Sequence, residues 1–269
     1  MELKQNPFSF YDFLGYFTPG AIFIYGCMAI FAHMQPDIKV LDFITFDRAE
    51  IYIPFVLISY TAGHLLSFIS SIFIEKYSEW TVGYPSKYLL GYKADSYFIG
   101  NIFIRSFVAL LLAPISFFEC ILNISIKYRN TYAKPLDLML QDIIRAKVDV
   151  LLNEHSDIKE NKNTYSGKNS HFFLFAYHYV VENAPNHFPK MQNYVALYGF
   201  LRTLSLISVF FFWCLFVHII DGSFSTELSI VALILSALLS LTFYMAFIKF
   251  HRRFSLEVLM ALSAVLSAK

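Results

Sequence analysis

The chain has 269 residues, of which 57% are hydrophobic and 19% aromatic, while only 15% are charged; an ordinary soluble domain carries about 25% charged residues. That imbalance excludes a conventional soluble domain and a disordered chain. With 21 Lys and Arg against 20 Asp and Glu the net charge is +1, so no global field recruits nucleic acid and any electrostatic meaning lies in where the charges sit.

In chain order, residues 13–31 carry no charge and are long enough for a membrane helix. Within them Thr18, Pro19 and Gly20 predict a kink or local unwinding. That is either a tolerated membrane proline or a bend used in gating, which makes Pro19 and Gly20 gating candidates. Residues 51–74 form a second span whose one ionisable group is His64, near its middle. A polar side chain at that depth is expensive and by default a functional hypothesis. Tyr60, His64, Ser67 and Ser71 fall at i, i+4, i+7 and i+11, one polar stripe on an apolar helix. In a monomer the stripe would be buried between helices; in an oligomer it would line a water-filled path.

Trp80, Tyr84, Tyr88 and Tyr92 recur every four residues, suiting a headgroup boundary, and Pro85 and Gly91 argue against one unbroken helix there. Residues 106–126 are a fifth apolar stretch, interrupted by Pro114 and Glu119. Lys127, Arg129, Lys134, Arg145 and Lys147 then form the densest basic stretch, interleaved with Tyr128 and Tyr132. It suits anionic lipid headgroups, or a nucleotide or phosphate ligand. Across 135–153, Leu140, Ile144, Val148 and Leu151 share a helix face, with Asp137 near the start. Residues 155–170 are polar and read as a flexible loop. A Phe-rich segment, 171–184, stops at Pro185. From Pro189 no proline intervenes until Ile220, so a single helix of roughly 48 Å is expected, carrying Arg202 where it meets the third span and coupling the central block to that span. The third and fourth spans are 203–220 and 228–248; Ser229, Ser236 and Ser240 on the latter read as helix contact surface.

Fourteen of the 21 Lys and Arg lie from Glu75 to Arg202, four more follow Ile248, and the loop between the last two spans has none. Four spans put every basic-rich segment on one side, as the positive-inside rule requires; a fifth span at 106–126 would send ten central basic residues outward. Residues 106–126 are therefore expected as a buried or membrane-surface helix on the cytoplasmic side. The expected fold is an all-α membrane protein, with four transmembrane helices in two pairs flanking a helical cytoplasmic domain. The divisions are 1–75 (spans 13–31 and 51–74), 76–202, and 203–269 with a cytoplasmic tail. Both termini face the cytoplasm.

Cys27, Cys120 and Cys214 are odd in number and widely separated, without a CxxC pair or His at zinc spacing, and read as packing residues. No nucleophile elbow, metalloprotease, phosphate-loop or dinucleotide motif is present, so no catalytic residue, metal ligand or cofactor is assigned. The best version of an enzyme would be a metal-dependent one using His171, His178, Glu182 and His187.

Two stretches carry a resemblance: PFSFYDFLGYFTPGAIF, which opens the first span, and QNYVALYGFLRTLSL, which leads into the third. The chain resembles bacterial four-span membrane effectors of antiphage defence operons, of the type of the Hailong channel subunits. The resemblance implies an oligomeric inner-membrane channel, held closed by an oligonucleotide from a partner nucleotidyltransferase, that depolarises the cell on release. It supplies no catalytic residues. The expected function is accordingly a ligand-gated channel or pore, a homo-oligomer for which a tetramer is one option, in the bacterial inner membrane. The rivals are a non-conducting membrane anchor or assembly protein, and the metal-dependent enzyme.

Overall fold

The computed structural model describes residues 12–34, 49–92, 97, 100–127, 132–154, 172–222 and 226–267. These residues are helices joined by turns, with no strand among them, so the all-α class holds. Among the described residues four helices are long and apolar enough to cross a membrane: Phe13–Ala32, Tyr52–Tyr88, Pro185–Ile220 and Ser229–Leu266. The described helices group into two compact units: Met1–Lys76, Phe107–Cys120 and Ala196–Phe247 form the first; Tyr77–Ser106, Ile121–Val195 and Ile248–Lys269 form the second.

In the first unit, helix α1 (Thr18–Met34) is entered through a π-helical segment, Phe13–Phe17. The expected disturbance at Thr18–Pro19–Gly20 therefore lies one turn earlier. Proline has no N–H to donate and its ring presses on the carbonyl four residues back, at Gly15; widening the turn over Gly15 removes that clash while Pro19 itself stays helical. Helix α2 (Ala49–Ser70) crosses α1 at very short range. A Cβ on Gly20 would fall 1.8 Å from the Ser59 carbonyl oxygen, and one on Gly63 would fall 1.8 Å from the Tyr16 carbonyl oxygen. Small residues at a crossing let two membrane backbones touch, and here both sides contribute one. Helix α2 then continues through a second π segment, Ser71–Glu75, into α3 (Lys76–Thr81).

In the second unit, α3 ends at a turn in which Gly83 has φ 90°, α4 (Pro85–Tyr88) starts on a proline, and Gly91 follows with φ 79°. Pro85 and Gly91 thus interrupt the helix as their chemistry requires. Tyr88 is 5% exposed and, like Leu89 and Leu90, is buried in the unit's core. Helix α5 (Ile102–Leu111) and helix α6 (Ala113–Ile126), of which Phe107–Cys120 belongs to the first unit, replace the single helix expected over 106–126 and meet at 98°. Helix α7 (Leu138–Glu154) is capped by Asp137, whose Oδ1 accepts the Leu140 N–H at 3.0 Å. Its buried face is Gln141, Ile144, Val148 and Leu151, while Leu140 is only half-buried.

Helix α8 (Phe172–Asn183) stops before Pro185, and helix α9 (Phe188–Ile220) runs its 33 residues without interruption. Helix α10 (Thr226–Ser267) continues far beyond Ile248, where a cytoplasmic tail was expected. Lys249, Arg252 and Arg253 end the apolar run there. Helical periodicity persists through them, with Phe254, Val258, Leu262 and Leu266 buried at four-residue spacing. The loop expected at 155–170 lies outside the described residues.

The glycine crossing makes a direct prediction. Gly63→Ala must displace the Tyr16 backbone and should lower stability by about 1–3 kcal/mol, the scale of overpacking, read as an earlier thermal transition of the detergent-solubilised protein. Gly199→Ala, which meets no atom within 4 Å, is the matched control and should leave the transition in place.

Candidate functional site

The second span presents two lines of residues, one residue apart. Ser59, Gly63, Leu66, Ser70 and Ile74 are buried within the first unit. The expected polar stripe lies on their flank: Tyr60, Ser67 and Ser71 are half-buried and His64 is exposed. His64 is held there by two rings, stacked on Tyr16 at 3.9 Å with planes 15° apart and edge-on to Tyr60 at 4.6 Å. The Tyr16 ring reaches His64 because Gly63, the adjacent residue, lets the Tyr16 backbone close on α2. Polarity marks the flank; the signal of the buried line is the small size of Ser59, Gly63 and Ser70.

One turn further on, the π segment loosens the backbone, and side chains take the carbonyls in front of it. Ser70 Oγ donates to the Ser67 carbonyl at 2.8 Å and Ser71 Oγ to the Phe68 carbonyl at 2.6 Å. The Ser67 carbonyl also accepts Arg202 Nη2 at 3.2 Å, while Arg202 Nε donates to Ser70 Oγ at 3.1 Å and Nη1 pairs with Glu75. Ser70 Oγ lies 3.4 Å from Thr203 Oγ1. The Arg202 side chain is 11% exposed and that of Glu75 is 26% exposed. One guanidinium therefore binds three groups on α2 and its extension, which fixes α9 against the π segment with a charge-assisted, multidentate contact. Arg202 was identifiable from sequence at the foot of the third span. Glu75, at the end of the second apolar run, was its missed partner, and paired charges bracketing two apolar runs were the available signal.

The basic candidates do not gather into one open patch. Arg145 Nη2 donates to the Leu90 carbonyl and, at 3.2 Å, to Gln141 Oε1; its guanidinium covers the Tyr92 ring at 5.3 Å and lies 3.5 Å from Asp142. Lys147 Nζ donates to the Leu266 carbonyl at 2.8 Å. Both cations thus tie helices together inside the second unit. Lys127 and Lys134 are exposed, and the Lys134 carbonyl accepts Arg252 Nη2 at 3.1 Å. Arg129 lies outside the described residues. The hydroxyl of Tyr88 and the Nε atoms of Arg145 and Arg252 are buried with no hydrogen-bond partner among the described residues.

The metal candidates likewise separate. His178 and Glu182 are exposed on α8, while His187 Nδ1 lies 2.9 Å from Glu257 Oε1. His171 is outside the described residues. No group of three His, Cys, Asp or Glu able to hold a metal occurs among the described residues. All three cysteines are free thiols.

Glu257 also receives Lys190 Nζ at 2.5 Å. This cluster lies on the extensions of α9 and α10, beyond the apolar stretches 203–220 and 228–248. Burial pushes the Glu257 carboxyl up, but hydrogen bonds from Lys190 and His187, reinforced by their charge, outweigh it and hold the carboxyl below its ordinary value. The same bond holds the Lys190 ammonium above its own.

Two predictions follow from these pairs. Arg202→Leu should cost about 1.5–3 kcal/mol, the scale of hydrogen bonds to a charged group. The double variant with Glu75→Leu should lose less than the sum of the singles; additive losses in thermal denaturation would show that the two side chains act separately. For Glu257, a depressed carboxyl binds its proton more weakly folded than unfolded. Its stabilisation is therefore complete above the ordinary carboxylate value of 4.5 and is lost as pH falls through the lower folded value. Glu257→Gln should be the less stable protein at neutral pH and should show a shallower acid limb in a pH series of melting temperatures.

No protein-family model, curated protein or solved structure matches the chain, so the reading of these residues rests on their own geometry.

Proposed function

We propose that this multi-helix membrane protein is the channel subunit of a homo-oligomer in the bacterial inner membrane, acting as a defence effector that depolarises the cell. The observation that carries the reading is the position of His64. It sits near the middle of a 24-residue apolar run, yet on the outside of the first unit beside Tyr16 and Tyr60. Intramembrane ionisable groups face a bundle interior or a water-filled cavity, because exposing a charged one to lipid costs about 2.5–3.5 kcal/mol even on permissive scales. The described residues of a single copy offer His64 neither. Further copies packed around this face supply both, with His64, Tyr60, Ser67 and Ser71 lining the seam. Arg202 and Glu75 then set the relative position of the second and third spans at one end of that seam.

The basic-rich block faces the cytoplasm by the charge distribution, and control by an anionic ligand, a nucleotide or oligonucleotide, follows from the resemblance of the two sequence motifs. Among the described basic candidates, Lys127 and Lys134 are the exposed ones available to such a ligand, since Arg145 and Lys147 are already engaged. A non-conducting assembly role is favoured by one specific observation, the engagement of those two cations in internal bonds.

Ion flux from liposomes loaded with the purified protein separates the two. The channel reading expects wild-type flux and a loss of about tenfold or more in His64→Leu, equivalent to at least 1.4 kcal/mol on the conducting state. Absence of flux from the wild type, with and without added oligonucleotide, would remove the pore; equal flux in both proteins would remove His64 from its lining.

A further inference from the structure

Helices α5 and α6 have 10 and 14 residues, about 15 Å and 21 Å at 1.5 Å per residue, and neither alone crosses a hydrocarbon core of about 30 Å. They are bent by 98° at Leu112. The bend has a local cause: Pro114 cannot donate a helical hydrogen bond and disfavours the helical conformation of the residue before it. The two feet of the pair, through Ser106 and from Ile121, group with the second unit, whereas its tip, Phe107–Cys120, groups with the apolar helices of the first. We infer that Ile102–Ile126 is a re-entrant hairpin, dipping into one leaflet and leaving on the side where it entered. The inference needs only that the apolar helices span a membrane and is independent of any pore.

The backbone at the bend is satisfied as a lipid environment demands. Irregular backbone at membrane depth survives only where protein supplies the partners. The Leu111 carbonyl accepts Trp213 Nε1 at 2.8 Å, and the Ala109 carbonyl accepts Ser116 Oγ at 2.8 Å across the bend. Leu112 and Ile115 have no exposed surface, and Glu119, the one charged residue between Arg105 and Lys127, is fully buried.

What remains outside is apolar apart from Ser106 and Ser125, the exposed polar residues between Ile102 and Ile126. Phe103 is 82% exposed, Leu110 64%, Phe117 63% and Ile124 78%. With no charge on that surface and the tip grouped with the spans, its occupant is the acyl region of the lipid. The first foot carries an anchor suited to headgroup level: the Arg105 guanidinium lies over Trp80 at 5.0 Å and Tyr97 at 5.8 Å, and the Arg105 carbonyl accepts the Tyr97 hydroxyl at 2.7 Å. A hairpin, unlike a fifth span, also leaves the ten basic residues from Lys127 to Arg202 on the side of those before it.

The test uses the wild-type chain in sealed vesicles of a single known orientation, read by peptide mass spectrometry. A membrane-impermeant amine reagent should modify Lys87 and Lys127 from the same side. Modification from opposite sides would make the segment a broken span and overturn the inference. Cys120, exposed and the last residue of the tip segment, should react with a lipid-soluble maleimide and resist an impermeant one applied to either side. Rapid reaction with the impermeant reagent would place the hairpin in water and overturn its insertion. As a second measure, a fluorophore on Leu110→Cys, in a chain with Cys27, Cys120 and Cys214 each replaced by Ala, should be quenched by lipids brominated along the acyl chain, and absence of quenching would likewise count against it.

Discussion

Backbone hydrogen bonding in the absence of water is the constraint from which the membrane unit follows. Within hydrocarbon every N–H and C=O must be met by protein, and a regular helix does this automatically. Three departures from the regular ladder among the described residues have side chains acting at them. At Phe13–Phe17 the Phe13 carbonyl receives the Thr18 hydroxyl at 3.2 Å. At Ser71–Glu75 the carbonyls just ahead receive Ser70, Ser71 and Arg202. At Leu112 the nearby carbonyls receive Trp213 and Ser116. Hydroxyls also bond between helices, as Ser205 Oγ does to the Ser240 carbonyl at 2.9 Å. Serine and threonine in these apolar runs are thus better understood as local backbone donors than as a solvated surface.

The same constraint explains why the two widened segments and the polar residues occur together. A π segment frees a carbonyl and shifts the side chains after it around the helix axis, so a nearby donor gains a place to bind. On α2 that donor is a guanidinium from another helix, anchored by Glu75. Removing lipid-exposed charge in this way costs desolvation, which the multidentate geometry offsets in part. The product is positional definition. Arg202 can satisfy Ser67, Ser70 and Glu75 together in only a narrow range of helix placements. A movement of α9 along its axis would have to break several bonds at once, so this contact favours discrete arrangements over continuous sliding.

Much of the architecture was legible because it follows from hydropathy alone: four apolar runs, the uninterrupted helix up to Ile220, and the packed face of Ile144, Val148 and Leu151. Three things were not. The continuation of α10 was hidden because Lys249, Arg252 and Arg253 end an apolar window without ending a helix; its signal is the four-residue period from Phe254 to Leu266. The bend at Leu112 was hidden because composition does not distinguish one apolar helix from two, although Pro114 marked the place. Of the candidate site, Tyr60, His64 and Arg202 were found by polarity in apolar surroundings. Gly63 and Ser59 were passed over because their contribution is the absence of bulk, which shows only when another backbone is placed against them.

The basic residues show how far charge density in a sequence differs from charge available to a partner. Lys127, Lys134, Arg145 and Lys147 are neighbours in the chain, but a helix period and one turn assign them different tasks. Arg145 and Lys147 point their donors at the Leu90 and Leu266 carbonyls, ends of segments whose own hydrogen-bond ladders have run out. Lys190 is occupied by Glu257. A cation engaged with a neutral carbonyl keeps its full charge, so these side chains still raise the local potential while being unable to reach outward without unpicking a helix contact. An anion drawn toward this region would meet a field set in part by the half-buried Arg145 and Lys147 and would make its direct bonds with the exposed cations. If such an anion did recruit Arg145 or Lys147, it would have to release the Leu90 turn or the end of α10, and binding would be coupled to a change in fold by that exchange of partners.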